Sequence, residues 1–254
     1  MITLNTLKER PLSYSSIKEF AKSPAHYISY LNRPRKQTPE LIFGSALHAL
    51  ILEPNEFNNK FIVSRKFDLR KNLDKVDYEL ITKEAEELGK TIIQEDTFAD
   101  VVNLKEKALR DDVFADILRR SDKEIREEFE LYGLPFVRIK DIEIKGEAVI
   151  DIKTVQDASL DSIIKDFYKY QYHLQAAIYE GSFSFYVIEK NEPFYTGLMP
   201  ISPEFLEYGR VQLQKLCIAF NHCLENPECF DMAYEFWYQF ENRKPIISLP
   251  NWVK

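Results

Sequence analysis

The feature that most restricts the fold is a change of hydrophobic period near residue 122. Three runs, "EIREEFELYG", "LPFVRIKDIEIKG" and "EAVIDIKTV", are rich in β-branched and aromatic residues and are separated by glycines. Such runs predict strands. The connections between them are too short for the crossover helix that parallel neighbours require, so the three strands form an antiparallel meander. Before them the apolar spacing is helical. "SYSSIKEFAKSPAHYISYL" offers Ser residues suited to an N-cap, then Ile17, Phe20 and Ala21 at helical spacing, and "LIFGSALHALILEP" predicts a second helix ended by Pro54. Two more helices are predicted, from about Tyr78 to Gly89 and from Asp96 to Ser121. After the meander, one helix should run from a cap at Ser159 or Asp161 to Gly181. "SFSFYVIEK" and "PFYTGLMPI" predict two further strands, followed by a helix from Pro203 to Asn226 and a shorter one within "ECFDMAYEFWYQF".

The expected fold class is therefore α/β: a mixed sheet containing an antiparallel three-strand meander, flanked by helices, with helical N-terminal and C-terminal additions. We read residues 1–254 as one domain, with a mostly helical part to 121, the meander, helix and strands over 122–200, and C-terminal helices over 201–254. The chain's 254 residues, 45% of them hydrophobic, can bury one sizeable core. No G-x-G-x-x-G or G-x-x-x-x-G-K-[ST] occurs, which argues against a doubly wound nucleotide-binding fold. No apolar run approaches the roughly 20 residues of a membrane helix and the first residues lack an apolar leader block, so no membrane partner and a cytoplasmic location are expected. Cys217, Cys223 and Cys229 are too few for a disulfide framework, and an iron–sulfur cluster would want a fourth thiolate.

Candidate chemistry begins in "AVIDIKTV". Alternation along a strand puts Ala148, Ile150 and Ile152 on one face and Val149, Asp151 and Lys153 on the other. A hairpin centred near Gly146 pairs positions whose numbers sum to about 292, which sets Asp141 opposite residue 151. Two carboxylates opposed across a ladder destabilise a sheet unless a cation lies between them. Taken alone, D-x-K is more often an ordinary surface pair. Two other features accompany it: Gln175 and Tyr179, four apart on one helix face, and His48 within an otherwise apolar helix.

Net charge is −7, with a pI of about 5.3, which at first disfavours a polyanionic partner. The distribution is uneven. Residues 1–40 and 60–75 each carry a net +4, leaving −15 for the rest. A local basic surface can hold a polyanion on an otherwise acidic protein, and a charged solvated face is the plainer alternative.

Taken in order, G-x-x-x-H from Gly44 to His48, Asp141 in a hairpin, D-x-K at Asp151 and Lys153, and Q-x-x-x-Y at Gln175 and Tyr179 resemble the PD-(D/E)xK nuclease superfamily. The chain looks most like its RecB-like branch and, through "SYSSIKEFAKSPAHYISYL", "FGSALHALILEPNEFNNKFIV", "GKTII", "YHLQAAIY" and "SLPNWVK", the exodeoxyribonuclease VIII (RecE-like) exonucleases of phages and prophages. The resemblance implies a restriction-endonuclease-like core and a Mg²⁺ or Mn²⁺ site made by His48, Asp141, Asp151 and the Ile152 carbonyl. It implies that Lys153 orients or deprotonates the attacking water, with a lowered pKa beside the metal, and that Gln175 and Tyr179 hold the site or the strand in place. The family's first acidic motif often reads R-P-D where this chain has "RIKD", so Asp141 is preferred over Glu143 on register. An acid on the preceding strand would be Glu127, Glu128 or Glu130, with Glu128 preferred. Arg65, Lys66, Arg70 and Lys71 become candidate phosphate contacts. The implied activity is 5′-to-3′ exonucleolytic hydrolysis of double-stranded DNA from its ends, by a homo-oligomeric ring, making single-stranded tails for a single-strand annealing protein. A DNA endonuclease, a repair or CRISPR-adaptation nuclease of the same superfamily, and a non-catalytic DNA-binding protein on this fold are the alternatives.

Overall fold

Serine and proline punctuate the first part of the chain. The structure, a computed structural model, describes residues 3–34, 37–179 and 181–242, so "SLPNWVK" lies outside the described residues. After α1 (Leu4–Glu9), the stretch expected to be one helix is two, α2 (Tyr14–Lys22) and α3 (Pro24–Asn32). The residue before a proline is pushed to extended backbone, and Ser23 has ψ 162° while its hydroxyl accepts from His26 N at 3.2 Å to start α3. Next come α4 (Pro39–Leu52), which carries His48, a short α5 (Phe57–Lys60), β1 (Phe61–Ser64), α6 (Asn72–Leu88) and β2 (Thr91–Gln94). Strands β1 and β2 were not expected; they pair in parallel as a small separate sheet. The predicted 96–121 helix is likewise divided, into α7 (Glu95–Leu109) and α8 (Asp112–Arg119), because Asp111 accepts from Val113 N and Phe114 N and caps a new start.

The main sheet has the order β3-β4-β5-β6-β7, formed by Asp122–Leu131, Leu134–Ile144, Ala148–Val155, Phe183–Glu189 and Thr196–Pro200. The meander of β3, β4 and β5 is antiparallel as expected. Its first turn is the two residues Tyr132 and Gly133, both with positive φ (52° and 74°), the geometry that suits the twist of a tight hairpin. Its second is centred on Gly146, with Ile144 opposite Ala148. Between β5 and β6, which run parallel, lies the crossover of α9 (Leu160–Lys169) and α10 (Tyr172–Tyr179). One helix was expected here too, and the break falls at Gln171, whose φ of +59° no helix accommodates. The chain continues through β7, α11 (Pro203–Glu225) and α12 (Glu235–Phe240). No described helix is long and apolar enough to cross a membrane.

Both faces of β5 and β6 are covered, so apolar residues run along them almost without alternation. On one face Val149, Val155, Phe185 and Val187 pack under α2, α9, α10 and α11; on the other Ile150, Ile152, Tyr186 and Ile188 pack under α4, α7 and α8. The three cysteines are free thiols buried in the first of these cores. Cys223 and Cys229 touch, because Cys229 sits on a 3-10 turn beyond the end of α11 rather than six residues further along it.

Helix α10 is held in place from behind by α11. The approach is close at Gly209, where a Cβ would stand 2.1 Å from His173 O. Gly209→Ala must therefore push α10 away, and we expect a loss of about 1–3 kcal/mol. Thermal unfolding should show a fall in Tm of several degrees. An unchanged Tm would mean that the two helices separate freely.

Candidate metal centre and catalytic cleft

The meander's register decides which side chains meet. Ile142↔Ile150, Glu143↔Val149 and Ile144↔Ala148 sum to the expected 292, but the ladder between β4 and β5 ends with these three pairs. Beyond them β5 parts from β4, and the Ile152 N–H donates to the Asp141 side chain, Oδ2 at 2.8 Å, rather than to a backbone carbonyl. Asp141 and Asp151 are thus close across a widening gap and not ladder partners.

From the other layer, α4 brings His48 into this gap. Its Nε2 is 3.0 Å from Ile152 O and its Nδ1 is 3.4 Å from Asp141 Oδ2. Burial holds the imidazole below its ordinary pKa, so it is neutral near pH 7. If Nε2 carries the proton and donates to Ile152 O, the bare Nδ1 faces a carboxylate oxygen, lone pair against lone pair. The glycine of G-x-x-x-H is not demanded by packing: a Cβ on Gly44 would meet nothing closer than Thr154 Oγ1 at 3.9 Å.

On the next β5 position but one, Lys153 Nζ lies 2.5 Å from Asp151 Oδ2, and Gln175 Nε2 donates to Asp151 Oδ1 at 2.5 Å. Asp151 is only 3% exposed. Desolvation, the largest single effect, would lower the Lys153 pKa, but the Asp151 charge, Tyr172, Asp141 and the hydrogen bond to Asp151 together outweigh it and the net direction is upward. Paired with Asp151 in this way, Lys153 is an ammonium. Tyr179 donates from its hydroxyl to Ile139 O at 2.5 Å. Arg138 locks the same helix end to the sheet, donating to Ile178 O and Tyr179 O at 2.8 and 3.0 Å.

The acids of β3 divide sharply. Glu128 is exposed and pairs with Arg126 at 2.5 Å, and Glu127 and Glu143 both bind Lys140, so none of these joins the cleft. Glu124 does. It forms with His48 and Asp141 the only group among the described residues whose ligand atoms all lie within 4.8 Å of one another. The β3–β4 pairs sum to 265 on both sides of it, which sets Glu124 opposite Asp141, yet its φ of +53° interrupts the ladder there. A non-glycine residue in that backbone region is uncommon and costs free energy. Applied to the "YG" turn, the pairing rule that located Asp141 would also have located Glu124.

The donor set fits a hard divalent cation. Three carboxylates face one ammonium and a neutral imidazole, most of them buried, and burial followed by the Asp151 charge holds the Asp141 carboxyl well above its usual range. Like-charged buried oxygens need a counter-ion. His48 Nε2 and Ile152 O, 3.0 Å apart, would both be near enough to hold one such ion. Gln175 Oε1 is buried without a hydrogen-bond partner among the described residues, a further oxygen left for a ligand or water.

Of the four proposed phosphate contacts, Arg65 is held by Asp74 and Asp77, both at 2.8 Å, and Arg70 by Asp68 at 2.8 Å. Lys66 and Lys71 are exposed.

Comparison with known proteins bears on the fold and the family. No curated protein matches the chain. A solved structure from Eubacterium rectale named "Putative exonuclease" superposes with a TM-score of 0.63 over 98% of this chain and 92% of its own, at 14% identity, which establishes a shared fold. The structure of SSO0001, at 16% identity over 74% of this chain and 87% of its own, gives a TM-score of 0.30 and carries no weight. The model of the family described as "PDDEXK-like domain of unknown function (DUF3799)" matches residues 13–232. With His48, Asp141, Asp151 and Lys153 gathered at the parting of two strands, this chain belongs to that PDDEXK-like family and so to the PD-(D/E)xK nuclease superfamily.

Proposed function

We propose that this chain is a Mg²⁺-dependent (or Mn²⁺-dependent) exodeoxyribonuclease that degrades double-stranded DNA from its ends, 5′ to 3′, and leaves single-stranded tails for an annealing partner. The observation that carries the nuclease reading is the arrangement around Ile152: Asp141 on its N–H, His48 on its carbonyl, and the Asp151–Lys153 pair on either side. The exonuclease reading rests on the resemblance to RecE-like enzymes and on the name carried by the E. rectale structure. A cytoplasmic location, a ring-shaped oligomer and contacts from Lys66 and Lys71 to phosphate belong to the same proposal.

His48, Asp141, Asp151 and the Ile152 carbonyl would hold the ion, with Glu124 reaching it directly or through water. When bound, the ion lowers the pKa of water and neutralises charge on the phosphate. Lys153 faces the developing negative charge of the phosphorane and orients or deprotonates the attacking water. Gln175 fixes Asp151, and Tyr179 with Arg138 fixes the end of α10, so the carboxylates are oriented before substrate arrives.

Purified protein with Mg²⁺ should degrade linear duplex DNA and spare closed circles, followed on a gel. Equal loss of circles would replace the exonuclease by an endonuclease. Lys153→Met should lower kcat by at least about 100-fold while DNA binding changes little; undiminished turnover would remove Lys153 from the chemistry. Glu124→Gln should weaken Mn²⁺ binding by about 10- to 100-fold in a calorimetric titration, whereas Glu128→Gln should leave it within about twofold. The reverse ranking would return the acidic role to Glu128.

A further inference from the structure

Beside the candidate metal centre the first core ends in a row of tyrosines and ammonium groups that starts at Lys153 and whose other members the reaction described above does not use. Lys153 Nζ lies 4.6 Å from the centroid of the Tyr172 ring, Tyr172 is 6.2 Å from Tyr14, and Lys18 Nζ is 5.0 Å from the Tyr14 ring. Tyr170 stands 5.8 Å from Tyr172, 41% exposed, with Lys169 Nζ 5.1 Å from its ring. The Tyr14 hydroxyl donates to Tyr170 O at 2.5 Å and so fastens α2 to the α9–α10 junction. The row is continuous from Lys153 out to solvent.

Lys18 is the informative member. It is half-buried on α2 with no ion pair among the described residues, because the neighbouring Glu19 is engaged by Lys22 at 2.9 Å and by Arg33 at 3.7 Å. Burial, only partly offset by Glu19, pulls its pKa down, and the charges of Lys22 and then Lys153 pull the same way. A purely structural lysine would not sit half-desolvated near a second ammonium without a carboxylate, since that placement costs free energy and returns none. Two cations spaced along tyrosine rings suit an anion repeated along a chain that also carries planar groups. An unpaired DNA strand is such a chain: phosphates meet ammonium groups, and bases stack on aromatic rings.

Resting on the nuclease reading, we propose that Lys18, Tyr14, Tyr170 and Tyr172 form a subsite for the nucleotide next to the one cleaved. Lys18 takes its phosphate and the exposed Tyr170 ring takes its base. The subsite therefore engages a single strand already parted from its complement. It extends the cleft outward from Lys153 along α2 and the α9–α10 junction.

Anisotropy of a fluorescein-labelled single-stranded oligonucleotide, with Ca²⁺ in place of Mg²⁺ and salt varied from about 50 to 200 mM, tests this on the full chain. For Lys18→Met the slope of log K against log salt should shrink in magnitude by about 0.7, one phosphate contact, and Lys18→Arg should restore it. Tyr170→Ala should weaken binding about tenfold with the slope unchanged, and Tyr170→Phe should bind as wild type does. Wild-type binding together with an unaltered Lys18→Met slope, or loss of slope in Lys18→Arg as well, overturns the subsite and leaves the nuclease reading standing. Failure of wild type to bind the single-stranded oligonucleotide while it binds a labelled blunt duplex overturns the subsite alone, and failure to bind either overturns the nuclease reading and the subsite with it.

Discussion

One hydrogen bond organises the cleft: Ile152 N–H to Asp141 Oδ2, at 2.8 Å. Strand β5 must leave antiparallel β4 and continue beside parallel β6, and at the parting its backbone donors lose their ladder acceptors. A buried N–H without a partner costs about 1–3 kcal/mol, and the Asp141 carboxylate supplies the acceptor. The same oxygen lies 3.4 Å from His48 Nδ1. Sheet closure and ligand orientation are thus one interaction, so the metal centre is as rigid as the sheet. Gln175 on Asp151, and Arg138 on the last carbonyls of α10, extend that rigidity to the helix layer.

Rigidity is obtained against electrostatic cost. Asp141 and Asp151 are 8% and 3% exposed and half-buried Glu124 adds a third acid, with the Lys153 ammonium as the one charge of opposite sign named in the cleft. Ionised carboxylates removed from water to this degree raise the free energy of the fold unless paired. Residues left in such an arrangement mark functional sites more often than structural ones. Burial, followed by the Asp151 charge, raises the Asp141 pKa, and the positive φ of Glu124 falls at the β3 position opposite it.

The fold class was legible because two periodicities carry it: alternation with glycine turns in the meander, and helical spacing elsewhere. Hairpin arithmetic reached Asp141 from Gly146 alone. It stopped short of Glu124 because "YG" is a weaker turn signal than Asn-Gly, and because a positive φ at a glutamate has no signature in composition. Breaks within helices were readable at Ser23–Pro24 and overlooked; the one at Gln171 was not, since only tertiary packing forces that backbone. Strands β1 and β2, four residues each, are too short for any period to show. Lys18 was invisible for a different reason: nothing in the sequence says that residue 18 and residue 153 face the same row of rings.

The distribution of charge changes meaning once the partners are known. Residues 60–75 looked like a basic track, yet Arg65 and Arg70 are neutralised by Asp74, Asp77 and Asp68 within or beside the same segment, and Lys60 by Glu53. A guanidinium already held by carboxylates adds little field beyond a Debye length of about 8–10 Å. The ammonium groups of Lys18, Lys153 and Lys169 lie instead against tyrosine rings beside the candidate metal centre. A chain of net charge −7 can therefore repel polyanions over most of its surface and still offer the proposed subsite a local set of cations. Attraction confined to that proposed subsite would favour a strand entering by its end over a duplex lying flat against the surface, as the proposed exonuclease reading requires.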